Sequence, residues 1–276
     1  MSIIDTHTHV SCGDDPRFTF TPTGVASDWW RSGGSIDELL ASADAIGVDR
    51  IVVVQAVGAY GHDCSCAGHS VAQHPTRTAL VVSVDMTAND PAAAFTDLLD
   101  APPSGARICG VRLFAVGGVD ASWLTDGRGA EVWSVAAERG ITVVPTVFAD
   151  RFDDLALLAD AHSGASAAID HCGFIDMVEG DGLAYLLRLA DVPSVNLKVT
   201  SYVLEAAERD EGDAAPMLER LVDAFGADRL CWGSDHPQDQ RHDYAGKLAL
   251  AQHAARNLDD AQRRALFSST AERLFF

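Results

Sequence analysis

Basic charge is the first thing this chain lacks. Its 20 lysines and arginines face 40 aspartates and glutamates, a formal net charge of -20, which disfavours nucleic acid and anionic membranes as partners. Long apolar runs are missing too: no stretch approaches the roughly 18 residues that cross a bilayer. The opening "MSIIDTHTHV" has neither the basic start nor the apolar stretch of a secretion signal, so a cytoplasmic protein is expected. The six cysteines form no recognisable framework. In a chain this long an even count does not imply disulfides, and small buried thiols are ordinary in apolar strand-like runs. The run "HDCSCAGH" (His62 to His69) lacks Cys-x2-Cys spacing and a second pair, which favours a loop over structural zinc. No low-complexity linker or internal repeat divides the sequence, so residues 1–276 read as one domain.

What is present is a regular alternation. Eight apolar or β-rich runs stand out: "SIID", "RIVVVQA", "ALVVSVD", "ICGVRLF", "ITVVPTVF", "AAIDHCG", "VNLKVTS" and "RLCWGSD". Helix-compatible stretches such as "SIDELLASADAIGVD", "FDDLALLADAH" and "APMLERLVDAFGAD" separate most of them. Strand then helix, repeated eight times, implies parallel pairing through right-handed crossovers and favours a closed (β/α)8 TIM barrel. An open Rossmann-type sheet is the rival, but "DTHTH" occupies the place where its Gly-rich fingerprint belongs. Two long insertions follow strands 1 and 2. Barrel topology puts both at the catalytic rim, where Phe18, Phe20, Trp29 and Trp30 either wall a pocket or pack the loop against its neighbours.

Side chains alternate along a strand. Asp5, His7 and His9 are therefore expected on one face, with Ile4 on the other. In "VNLKVTS" the apolar Val195, Leu197 and Val199 leave Asn196, Lys198 and Thr200 inward, and a buried lysine needs a counter-charge from a substrate anion or a site carboxylate. In "ICGVRLF", Arg112 reaches either the pocket or the rim. In "AIDHCG", neighbours cannot share a face, so His171 is expected inward and Asp170 outward or supporting a neighbour. Asp235 ends the eighth run just before a turn, where barrel catalysts sit.

Taken in order, "DTHTHV", "GVRLF", "DHCG", "NLKVTS", "LCWGSDHP" and "STAERLF" resemble the amidohydrolase-related (amidohydrolase 2) family over essentially the whole chain. The resemblance implies a barrel enzyme with His7 and His9 as first-strand histidines, His171 as the sixth-strand histidine and Asp235 as the eighth-strand aspartate. Family members include divalent-metal decarboxylases of the aminocarboxymuconate semialdehyde type and lactonases of the pyrone-dicarboxylate and sugar-lactone types. The decarboxylases carry a further metal-binding histidine on strand 5; here that strand reads "ITVVPTVFAD" and has none. His162 lies in the following helix-like stretch and does not replace it. Three ligands, His7, His9 and Asp235, still suffice for a catalytic zinc with a water.

The resulting expectation is a lactonase-like hydrolase acting on a small anionic substrate. Asp235 is the general base, His171 stabilises the carbonyl oxygen or moves a proton to the departing oxygen, and Arg112 and Lys198 hold the substrate anion. A divalent metal, zinc or manganese, is expected at His7, His9 and Asp235, unless the enzyme resembles the lactonases that require none. The competing reaction is metal-dependent decarboxylation of an aromatic or unsaturated acid, and the competing class is a barrel that binds without turnover. A homo-oligomer is left open.

Overall fold

The computed structural model describes residues 2–24, 28–32, 34–238 and 240–276. Every one of the eight runs overlaps a strand: β1 (Ile4–Thr8), β2 (Arg50–Val54), β3 (Thr78–Val84), β4 (Ile108–Ala115), β5 (Thr142–Val147), β6 (Ala167–Ile169), β7 (Val195–Thr200) and β8 (Leu230–Gly233). They follow one another in sequence order within one parallel sheet. Helices between them complete a (β/α)8 TIM barrel. The helix Ile36–Ile46 illustrates why these segments stop and start where they do. Ser35 and Glu38 form a reciprocal capping box, and Gly47 ends the helix in the left-handed conformation.

The barrel closes between β1 and β8 through a seam rather than a long ladder. Asp235 N donates to His7 O at 2.8 Å and His9 N to His236 O at 2.9 Å, while Thr6 Oγ1 donates to Trp232 O at 2.7 Å. The Asp5 carboxylate accepts from the backbone of both sides, His7 N at 3.0 Å and Ser234 N at 2.9 Å. Tyr244 OH donates to its other oxygen at 2.9 Å. Gly233 is required here because a Cβ would stand 2.7 Å from His7 Cβ.

Alternation along β1 fails at one place, with a consequence for the site. Ile4 packs inside the barrel with Val52, Val81, Val144 and Phe275, whereas Asp5 pairs in register with the outward Ile51. A register irregularity between Asp5 and Thr8 then shifts the pattern by one residue. Asp5 therefore faces out to Tyr244, and the bulge re-aims His7 and His9 inward. The expected shared face of Asp5, His7 and His9 is corrected on this point.

The insertion after β2 is helical in two pieces, Val57–Tyr60 and Ser65–Ala72. Cys66 in the second piece is bonded to Cys12 in the insertion after β1, a pairing that the cysteine count and spacing did not indicate. The sequence could not reveal this because the two insertions meet only once the barrel is built. Cys64, Cys109, Cys172 and Cys231 are free and buried, and burial pushes the Cys64 and Cys109 thiols up to about 12. The bond spans 54 residues, so Cys66→Ser is expected to cost about 2–4 kcal/mol through the freer unfolded chain. The denaturant midpoint of the variant against the oxidised protein measures this.

Candidate active site

His7 and His9 leave β1 at the carboxyl end of the barrel, both fully buried. Each imidazole has one nitrogen committed. His7 Nδ1 lies 3.0 Å from Asp170 Oδ1, and His9 Nδ1 lies 2.8 Å from the Val54 carbonyl, which can only accept. Both rings therefore carry their proton on Nδ1 and turn an Nε2 lone pair toward the same space. Asp235 Oδ1 completes that space, 3.7 Å from His7 Nε2 and 3.3 Å from His9 Nε2. Asp235 stands at φ 55°, just beyond β8, in the left-handed region that aspartate tolerates better than most residues.

These three atoms, His7 Nε2, His9 Nε2 and Asp235 Oδ1, are buried and make no hydrogen bond. Orphaned buried polar atoms are costly, and three pointing at one another with two lone pairs and a carboxylate form a donor set suited to a divalent cation. A second grouping, His7, Asp170 and His171, fits less well, because Asp170 is already neutralised and His7 Nδ1 is already bonded to it. Asp170 instead orients the His7 ring, the role carboxylates play behind metal-binding imidazoles.

Asp170 is the feature that the sequence misplaced. It is fully buried and accepts from Arg112 Nε at 2.9 Å and Thr146 Oγ1 at 2.7 Å, with Lys198 Nζ 3.2 Å away. Burial alone would push its carboxyl up; Lys198, His7 and Arg112 outweigh burial and hold it well below the usual carboxylate range. The expectation of an outward Asp170 fails because β6 ends at Ile169. His171 and Cys172 then adopt φ of 53° and 49°, so strand alternation no longer governs, and Asp170 and His171 both reach the interior. Its supporting role toward a neighbour was foreseen.

Lys198 is corrected in turn. Its ammonium is fully buried between Asp170 and the Phe275 ring, 5.2 Å from the latter, so its charge is engaged by a protein carboxylate rather than presented to a substrate. Arg112 does reach the pocket. Its Nε is committed to Asp170 and Thr146, its Nη1 to Gln55 O. His171 Nδ1 contacts Thr200 Oγ1 at 2.9 Å, and burial lowers its pKa below the ordinary imidazole value. The ring is thus neutral near pH 7, with Nε2 left for chemistry.

Two cavities open beside this cluster. One, about 260 Å3, is lined by His9, Trp29, Glu38, His236 and Gln240. The other, about 200 Å3, is lined by Arg112, Phe114, Phe148, His171 and Phe174. Trp29 stacks on His9 with centroids 5.9 Å apart and walls the first cavity. Trp30 is buried, Phe20 stacks on Tyr60 at 5.0 Å and Phe18 lies by His69. The aromatic insertion therefore does both of the things expected of it. His162 caps the end of the helix Phe152–Ala161 and belongs to neither cavity.

The amidohydrolase family model matches residues 4–276. The chain belongs to the amidohydrolase family. No curated protein matches this amidohydrolase, but solved structures share its fold across their full length. An amidohydrolase from Burkholderia multivorans with bound zinc is 21% identical, with 99% of each chain covered and a TM-score of 0.77. A probable 2-pyrone-4,6-dicarboxylic acid hydrolase from Acinetobacter baumannii, with citric acid bound, is 20% identical, with 99% of each chain covered and a TM-score of 0.78. A 2,6-dihydroxybenzoate decarboxylase from Rhizobium is 12% identical over 99% of this chain and 98% of its own, with a TM-score of 0.62.

Proposed function

We propose that this amidohydrolase opens a carboxylate-bearing lactone or related cyclic ester with water. The observation that carries the reading is the set of three partnerless buried atoms on His7, His9 and Asp235, set between two cavities, one of them aromatic with a guanidinium in its wall. A divalent cation held by His7, His9 and Asp235 would supply Lewis acidity, acidifying water and polarising the carbonyl. The chain's own groups do the rest. Asp235 takes the proton of the attacking water while the water oxygen bonds to the carbonyl carbon. The bond from that carbon to the ring oxygen then breaks, the proton taken by Asp235 passes to the departing oxygen, and neutral His171, held by the contact of its Nδ1 with Thr200 Oγ1, stabilises the charge developing there. Arg112 holds the substrate carboxylate against the repulsion of an acidic protein. The partner is a small anionic molecule.

Strand 5 supports hydrolysis over decarboxylation. That strand carries no histidine to extend the ligand set, and its Thr146 donates to Asp170 and accepts from Arg112, serving the supporting network. Base uptake without gas release on a lactone panel is the expected result; release of carbon dioxide from aryl acids would replace this reading with the decarboxylase one.

Metal binding is testable without turnover. Zinc or manganese at a hundredfold excess over its dissociation constant is expected to stabilise the protein by about 2.7 kcal/mol, seen as a rise in Tm, with about one equivalent retained after dialysis. His9→Ala is expected to lose both effects. An unchanged metal content in that variant would remove His9 from the ligand set.

A further inference from the structure

We infer that this enzyme's substrate carries a single carboxylate on a small, flat, unsaturated ring, and that dicarboxylates are excluded. The inference rests on the lactone reading for the reaction but on the cavity walls for its content.

Cations decide where an anion can sit, and this chain has few to offer. Its two lysines, Lys198 and Lys247, are both fully buried, one against Asp170 and the other reaching the Asp235 carbonyl. Arg112 is the one lysine or arginine among the described residues lining either cavity, and the six positions outside the described residues hold no lysine or arginine. Within the guanidinium, Nε–H and one of the two Nη1–H groups are engaged, while Nη2 makes no hydrogen bond with a described residue, so the Nη1–Nη2 side is the free one. That leaves one donor edge for one carboxylate.

Around this edge the wall is aromatic. Arg112 lies over the Phe114 ring at 5.1 Å, and Phe148 meets Phe174 edge-on at 5.6 Å. Phe174 in turn lies 4.7 Å from His171. A flat ring placed against these faces brings its carboxylate to Arg112 and its reacting bond toward His171. The volume, about 200 Å3, is below that of a drug-sized pocket, which limits the occupant to a small ring. A second carboxylate would have two places to go. In the aromatic cavity it would be stripped of water against phenyl faces, which is costly without a partner. In the other cavity it would meet the Glu38 carboxylate, kept ionised by the Ser35 hydroxyl and by backbone N–H groups of Ser35 and Gly34. The protein's net charge of -20 repels a dianion twice as strongly as a monoanion.

The test separates binding from turnover. Calorimetry on the zinc-supplemented full chain is run with benzoate, benzene-1,3-dicarboxylate and neutral benzamide. Benzoate is expected to bind at least tenfold more tightly than either of the others. Phe148→Ala, which leaves the Asp170 network intact, is expected to weaken benzoate by about tenfold, and Arg112→Gln to remove the preference for benzoate over benzamide. Equal or tighter binding of the dicarboxylate, or no binding of benzoate, overturns the inference. In parallel, a 2-pyrone monocarboxylate and 2-pyrone-4,6-dicarboxylate are offered as substrates. Hydrolysis of the dicarboxylate at an equal rate sinks the inference and leaves the lactonase reading standing. Selective benzoate binding with neither pyrone hydrolysed sinks the lactonase reading and supports the inference.

Discussion

Asp235→Asn is expected to lower kcat/KM by a factor of about a hundred to ten thousand, the range by which a positioned general base accelerates proton transfer. In barrier height this is about 3–5 kcal/mol. The substitution is clean because asparagine keeps the shape and tolerates the left-handed backbone at φ 55°. The backbone bond from residue 235 to His7 O, which helps close the barrel, is also untouched. What changes is the capacity to accept a proton and the negative charge facing His7 and His9. The variant should keep its Tm to within a few degrees while losing turnover. A folded Asp235→Asn enzyme working at the wild-type rate would remove Asp235 as the base.

How much of this was legible beforehand follows from which structural rules were local. The strand and helix alternation is carried by short apolar runs with their own turn signals, so all eight strands and the barrel could be read directly. His9 and Asp235 were readable as facing the mouth because each sits just past a strand whose end marks the rim, whereas the sequence left Arg112 between pocket and rim, and the structure puts it in the wall of a cavity. The errors lie where the backbone departs from a regular strand. The β1 irregularity reverses Asp5, and the left-handed residues after β6 bring Asp170 in beside His171. Neither departure has a glycine or proline at the reversing position to announce it. The Cys12–Cys66 bond was hidden for a different reason: it joins two rim insertions that approach each other only in three dimensions. Lys198 was read correctly as buried and in need of a counter-charge. Its partner was missed because the partner was Asp170.

The same carboxylate gives the largest expected effect on stability. Asp170→Asn keeps the volume but leaves Lys198 and Arg112, both buried, without their counter-charge. Breaking a buried pair from one side costs about 3–5 kcal/mol, because the orphaned charge remains desolvated, and a fall in Tm of about 6–15 °C is expected. Lys198→Met tests whether that is the cause. Alone it removes one of two cations from Asp170 and is expected to be the milder change, since Arg112 still pairs the carboxylate at 2.9 Å. Combined with Asp170→Asn it deletes the ammonium that the first change had stranded, so the double variant should be more stable than the sum of the single effects by at least about 1 kcal/mol. Because Asp170 also fixes the His7 ring, the single Asp170→Asn protein is further expected to hold zinc about 10–100-fold more weakly. Strictly additive stabilities would mean that Lys198 does not depend on Asp170. Unchanged zinc affinity would mean that the His7 lone pair is aimed by the bulge in β1 alone.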